Sequence, residues 1–325
     1  MTAPPSQFEV YGPVADDLPR VDELLDSLRD VEFPWLREML GAVLGGGGKR
    51  LRPALTLLAG RLGRYDLDLL VPMAASVELL HTATLVHDDV IDQAEERRGR
   101  PTAAAQFNNG PSVMLGDYMF AHAAHFVALT GNLRVVRNFA ETLRVMARGE
   151  LSQDLAAYEY SSDVRRYLDR IHGKTASLFA TAAEGGAIVC GAPEPLVEPV
   201  RRFGEQLGMA FQVVDDVLDF SATAEELGKP VGSDLLAGTL TLPALLYLDR
   251  YPDDNPIRRA FAGVRRRANL QRAINEIRES GLLDESLETA QRFAAEAAAA
   301  LKPLPPGEPR ETFESLTEYV LTRRN

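Results

Sequence analysis

Cysteine is almost missing. Cys190 is the only one in 325 residues, which excludes intramolecular disulfides and thiolate metal clusters and leaves a small buried residue as its expected role. Aromatic residues are scarce at 7%, and no stretch of strict apolar and polar alternation is bounded by turn residues, so a β-sandwich or barrel is excluded. Positive charge is in deficit: 35 Lys and Arg against 47 Asp and Glu leave a net charge of −12, and no basic cluster interleaves with aromatics. Nucleic acid is therefore not an expected partner. Uninterrupted apolar runs such as Leu69–Val77 are far shorter than a membrane span, and Met1–Pro19 has neither the charged start nor the apolar centre of a leader. A cytoplasmic protein without a transmembrane segment is expected. The five histidines form no HxxxH or HExxH pattern, which removes the usual zinc sites.

Alanine and leucine are abundant, and apolar residues recur at i, i+3 and i+4 through Val21–Leu44, Leu67–Asp92, Leu133–Tyr158, Phe203–Phe220 and Leu283–Leu301. This predicts an all-α protein, a bundle of roughly ten or more helices around a deep central cavity. No repeat and no long Gly/Ser or Pro linker divides it; Gly191–Pro199 and Leu301–Pro309 read as helix connections. One domain over residues 1–325 is the expectation, with residues 1–19, rich in Pro and Asp, fraying.

Two acidic segments stand out, His87-Asp88-Asp89-Val90-Ile91-Asp92 and Val214-Asp215-Asp216-Val217-Leu218-Asp219, 127 positions apart. Four residues turn a helix by about 400°, so Asp88 and Asp92 share a face, as do Asp215 and Asp219. Carboxylates crowded among apolar neighbours repel one another and resist desolvation; they call for full exposure or for a hard divalent cation. One DDxxD alone is usually a solvated helix end. Two such rows, each flanked by apolar residues, favour Mg²⁺, which takes oxygen ligands from one or two carboxylates plus substrate phosphate.

Basic loops accompany these rows. Gly45-Gly46-Gly47-Gly48-Lys49-Arg50-Leu51-Arg52-Pro53 joins a glycine run to three cations just before a helix start. It is not a Walker loop, because Val43 stands where the first glycine belongs; Gly173-Lys174-Thr175 fails the same test at Leu168. Glu95-Glu96-Arg97-Arg98-Gly99-Arg100-Pro101 begins one turn after Asp92, and Gly228-Lys229-Pro230 follows Asp219. Each cation alone would more often be a solvated surface group. An acidic helix end followed by a basic loop, twice, is what a site for diphosphates and metal ions needs. His81, seven residues before Asp88 on the same face, could donate to phosphate or simply pack in the core.

Taken together, Gly47-Gly48-Lys49-Arg50-Leu51-Arg52-Pro53, Glu78-Leu79-Leu80-His81 through Asp92, Arg97-Arg98-Gly99, Gly149-Glu150-Leu151, Gly173-Lys174-Thr175-Ala176, Phe211-Gln212 through Asp219, and Gly228-Lys229-Pro230-Val231-Gly232-Ser233-Asp234 resemble the trans-polyprenyl diphosphate synthases of the class I isoprenoid fold. The resemblance runs from about residue 20 to residue 320. It implies that Asp88, Asp92, Asp215 and Asp219 bind Mg²⁺, about three ions per active site with substrate present, supported by Asp89 and Asp216. It further implies that Lys49, Arg52, His81 and Arg98 bind isopentenyl diphosphate, and that Arg97, Lys174, Thr175, Gln212 and Lys229 hold the allylic diphosphate. The family commonly carries a lysine where this chain has Thr239.

The implied reaction is an ionisation and condensation in a homodimer, making an all-trans polyprenyl diphosphate. Geranylgeranyl or farnesyl diphosphate synthesis, a terpene cyclase and a non-catalytic subunit are the alternatives. Cyclases lack an isopentenyl diphosphate site, and a non-catalytic subunit would have lost acidic residues. In the family, short-chain enzymes often place a bulky aromatic five residues before the first acidic row. Here Ala83 and Thr84 stand at that level with Leu80 deeper, which implies a product longer than geranylgeranyl diphosphate.

Overall fold

Residues with high helix propensity dominate the chain, and helix dominates the computed structural model, which describes residues 10–45, 48–97, 99–223 and 230–323. The helices are α1 (Leu18–Asp26), α2 (Pro34–Leu44), α3 (Leu51–Gly60), α4 (Leu67–Ile91), α5 (Ala103–Phe107), α6 (Asn109–Leu129), α7 (Leu133–Leu155), α8 (Val164–Ile171), α9 (Ser177–Val189), α10 (Glu194–Ser221), α11 (Ser233–Leu236), α12 (Leu242–Arg250), α13 (Pro256–Phe261), α14 (Arg266–Glu279), α15 (Leu282–Ala300) and α16 (Glu308–Thr322). The expected all-α class holds. Among the described residues the one departure is a ladder of two residues a side, β1 (Glu96–Arg97) against β2 (Arg100–Pro101), with Gly99 between them at φ +71°. Two compact units are distinguishable: Met1–Glu141 with Leu178–Gly204 and Ala300–Leu316, and Thr142–Ser177 with Glu205–Ala299 and Thr317–Asn325.

In the first unit the expectation that residues 1–19 fray is corrected for residues 10–19. Pro13 and Pro19 sit at the start of a 3-10 turn (Gly12–Asp17) and of α1, where a fixed φ favours helix. Val10, Tyr11, Val14, Leu18 and Val21 are buried, so proline here initiates structure rather than opposing it. All of α3 is buried, Arg52 included. Helix α4 is capped by the Asp66 carboxylate, which accepts from the Asp68 amide. By length and composition alone it could cross a membrane, yet most of its apolar stretch is buried in protein, as in a core helix. It packs closely on α6: a Cβ at Gly116 would lie 2.2 Å from His87 Nε2. Helix α9 approaches α3 as tightly, since a Cβ at Gly186 would lie 2.0 Å from the Thr56 carbonyl oxygen.

The second unit has its own core. Tyr167, Ile171, Val213, Phe220, Leu235, Leu242, Ile257, Ile274 and Ile277 are buried together, drawn from α8, α10 and the helices after it. Between α8 and α9 the backbone widens into one π-helical turn, His172–Ala176, a feature often found at functional sites.

Candidate active site

The acidic rows end their helices. Asp88 and Asp89 occupy the last turn of α4 and Asp92 is its C-cap; Asp215, Asp216 and Asp219 lie in the last two turns of α10. A helix C-terminus carries the negative end of the macrodipole, so carboxylates there are disfavoured unless cations answer them. Among the described residues no three His, Cys, Asp or Glu side chains converge into a finished metal cage.

In the first unit Asp88 and Asp89 are buried while Asp92 is exposed. Arg97 Nε donates to Asp89 Oδ1 at 2.7 Å. Burial pushes the Asp89 carboxyl up from its ordinary range, and Arg97 pulls the other way. The basic loop lies in the same unit. The Tyr11 hydroxyl donates to the Lys49 carbonyl. Arg50 has the left-handed φ of +49° and donates from Nε to Asp22 Oδ1 and from Nη1 to Glu78 Oε1, both at 2.7 Å. The Arg52 guanidinium carbon sits 4.6 Å from the centre of the Phe179 ring, and its side chain is nearly buried. On α4, Thr84 donates to the His81 carbonyl; Leu80 and Ala83 are fully enclosed and Thr84 is half-buried.

In the second unit Lys174, on the π turn, meets Glu150 with Nζ at 2.9 and 2.7 Å from the two carboxylate oxygens. Gly149 makes room for this: a Cβ there would lie 3.2 Å from the Lys174 amide nitrogen. A relay follows. The Thr175 hydroxyl donates to Gln212 Oε1 at 2.6 Å, Gln212 Nε2 donates to Asp216 Oδ1 at 2.9 Å, and the Tyr167 hydroxyl donates to Asp216 Oδ2 at 2.7 Å. Burial, reinforced by Asp234, raises the Asp216 carboxyl to about 7, against the pull of these hydrogen bonds.

Asp219 accepts from the Ser233 hydroxyl at 2.7 Å and from the Asp234 amide at 3.2 Å, where the chain turns back at Gly232. Asp215 stands apart from both: its side chain is 41% exposed and takes Arg323 Nη2 at 2.5 Å. Arg323 also donates to the Phe211 carbonyl at 2.8 Å, with its guanidinium over the Phe211 ring. A cation already rests on each row, Arg97 on Asp89 and Arg323 on Asp215, so the donor chemistry fits a site for positive charge.

Of the sequence-predicted residues, Asp88, Asp89, Asp92, Lys49, Arg52, His81 and Arg97 fall in the first unit, and Lys174, Thr175, Gln212, Asp215, Asp216 and Asp219 in the second. Arg98 and Lys229 lie outside the described residues. Sequence reasoning missed Tyr167, Glu150 as the partner of Lys174, and Arg323, whose sequence signal is a basic pair at the end of an amphipathic helix rich in glutamate.

The model of the polyprenyl synthetase family matches residues 33–278. The chain belongs to the polyprenyl synthetase family. It is 40% identical over 314 residues to heptaprenyl diphosphate synthase component 2 of Geobacillus stearothermophilus, covering 96% of this chain and 97% of that one. It is 36% identical to the all-trans-nonaprenyl-diphosphate synthase (geranyl-diphosphate specific) of Rhodobacter capsulatus, covering 97% of each. Among solved structures, the polyprenyl synthase of Caulobacter crescentus CB15, complexed with calcium and isoprenyl diphosphate, matches with a TM-score of 0.91 at 35% identity over the whole of both chains.

Proposed function

We infer that this member of the polyprenyl synthetase family is a Mg²⁺-dependent, head-to-tail prenyltransferase. It condenses isopentenyl diphosphate onto an allylic diphosphate to make an all-trans polyprenyl diphosphate longer than geranylgeranyl. The observation that carries this reading is the pair of acidic helix ends, each answered by a cation, in a chain similar over nearly its whole length to long-chain synthases.

Asp88, Asp92, Asp215 and Asp219 would hold Mg²⁺, which when bound would supply positive charge to the departing diphosphate. Asp89 and Asp216 orient the rows through Arg97 and through Tyr167 and Gln212. Lys49, Arg52 and His81 bind isopentenyl diphosphate. Arg97, Lys174, Thr175 and Gln212 hold the allylic diphosphate. The allylic C–O bond breaks with its electron pair leaving on diphosphate; the isopentenyl double bond attacks the allylic carbon, and the proton lost from the adjacent carbon passes to the released diphosphate. No protein nucleophile takes part. Buried apolar helix keeps water from the carbocation.

The family match draws on both compact units, which supports one catalytic domain. A homodimer is favoured by the apolar face that α6 and the start of α7 leave uncovered, with Val113, Met114, Leu129 and Leu133 all exposed. We place the enzyme in the cytoplasm.

Incubation with Mg²⁺, farnesyl diphosphate and labelled isopentenyl diphosphate tests the reading. Extended all-trans diphosphates are expected, and mass spectrometry gives their length. A cyclic hydrocarbon, or no condensation, would overturn it.

A further inference from the structure

We propose that the N-terminal segment is a working part of the isopentenyl diphosphate site: a bridge from Asp22 through Arg50 to Glu78, assisted by Tyr11, positions Lys49 and Arg52. This rests on the function inferred above and adds to it a set of positioning residues outside the phosphate-binding set.

Arg50 carries the argument. It stands between Lys49 and the first residue of α3, and its φ of +49° is strained for a side chain other than glycine. Such a conformation persists only where the surroundings hold it. Here they do so at two points of one rigid guanidinium: Nε reaches Asp22 on α1, Nη1 reaches Glu78 on α4, each at 2.7 Å. Burial works against the charge on Arg50, and the two carboxylates outweigh it and raise its pKa. The Glu78 carboxylate is itself nearly buried, so the pair is shielded from solvent screening.

The same loop is fastened again one residue earlier, where the Tyr11 hydroxyl donates to the Lys49 carbonyl. The N-terminal segment is in turn tied down by Arg61, which donates to the Pro13 carbonyl at 2.7 Å, and by Tyr65, which donates to Asp17 at 2.7 Å. Glu78 also lies three residues before His81 on α4, so one helix face carries both the anchor of the bridge and a proposed phosphate ligand. Arg52 follows Arg50 by two residues on a helix with no exposed residue. The bridge thus fixes the turn from which Lys49 and Arg52 project. Misplacing a binding group by about 1 Å can cost about 100-fold, so a loop released from this bridge should bind its anion poorly while the ionisation step stays intact.

The test uses Arg50→Gly, which accepts positive φ without strain but loses the bridge, and Glu78→Gln, which keeps the shape and drops the charge. Each should raise the KM for isopentenyl diphosphate by about 10- to 100-fold. The KM for farnesyl diphosphate and kcat at saturation should move by less than about 3-fold, which a general loss of structure would not spare. Arg50→Lys, which keeps one ion pair, should recover part of the loss, and calorimetric titration of the metal-free protein with isopentenyl diphosphate should show the same order of affinities. Should Arg50→Gly fail to fold, Glu78→Gln and Asp22→Asn carry the test. An unchanged KM for isopentenyl diphosphate, or equal rises for both substrates, in a wild type that condenses normally would overturn the bridge. A wild type that does not condense would overturn the function beneath it.

Discussion

Replacing Arg323 with glutamine should make the protein less stable and its hold on divalent cations tighter. The guanidinium is 3% exposed and touches Asp215 at 2.5 Å, the Phe211 carbonyl at 2.8 Å and the Phe211 ring at 3.7 Å. Losing a hydrogen bond to a charged group costs about 1.5–3 kcal/mol and a cation–π contact about 0.5–1 kcal/mol. The Asp215 end is 41% exposed, so water screens the ion pair and the lower values apply, for a net loss of about 2 kcal/mol. The effect on the metal has the opposite sign. A cation arriving at Asp215 must displace or share the carboxylate with Arg323, and removing that competitor returns about 1 kcal/mol, roughly 5-fold in affinity. Chemical denaturation of the metal-free protein reads the first quantity, and calorimetric or spin-resonance titration with Mn²⁺ reads the second. If Mn²⁺ binds the variant more weakly than the wild type, Arg323 orients Asp215 for the metal rather than competing with it, and the argument fails.

Asp88→Ala and Asp215→Ala should each lower kcat by at least about 100-fold, since each removes a ligand to the charge that stabilises the leaving group; turnover near normal with unchanged metal dependence in either would contradict the assignment. Asp219→Ala should cost about 1–3 kcal/mol in a denaturant series, more than Asp215→Ala, because Ser233 and the Asp234 amide lose their acceptor. Ala83→Phe should shorten the product by several isoprene units and, because Ala83 is fully enclosed, destabilise the fold by about 1–3 kcal/mol; product masses identical to wild type would refute the placement of Ala83 along the chain path. Asp216 titrates at about 7 when folded against about 3.9 when unfolded, so the native state keeps its proton longer. Its contribution to the stability of the metal-free protein is complete below about pH 4 and is lost as pH rises toward 7. Asp216→Asn should flatten that decline, and an unchanged slope would show that another group sets it.

Helical class and the position of both acidic rows at helix ends were legible in the sequence because each rests on local chemistry. Period 3.6 runs through α10, α4 is apolar nearly all round as a buried helix must be, and an i, i+4 pair of carboxylates declares its face wherever the helix lies. What escaped depends on distant partners. Arg97 reads as a loop cation available to phosphate, but in the fold it sits on Asp89, eight residues before it. Lys174 pairs with Glu150 from another helix, and Asp216 is held by Tyr167, 49 residues away. Composition misled at the N-terminus, where Pro13 and Pro19 serve as helix starts for a segment whose Tyr11 and Asp22 reach the Gly-rich loop.

The second acidic row shows most directly why a motif does not assign roles to its members. Asp215 and Asp219 are chemically identical and, four residues apart, leave α10 in nearly the same direction. Their surroundings separate them. The chain returns at Gly232, whose amide donates to the Asp219 carbonyl at 2.7 Å, and Ser233 and Asp234 then take the Asp219 carboxylate, which is left 2% exposed. Among the described residues nothing covers Asp215 in that way; its side chain is 41% exposed and Arg323 answers its charge. Between them Asp216 is sealed in and pushed toward neutrality by burial. By access alone Asp215 is the first of the two proposed ligands of this row that a cation would meet, while the Ser233 and Asp234 contacts fix the direction in which Asp219 is offered as the other.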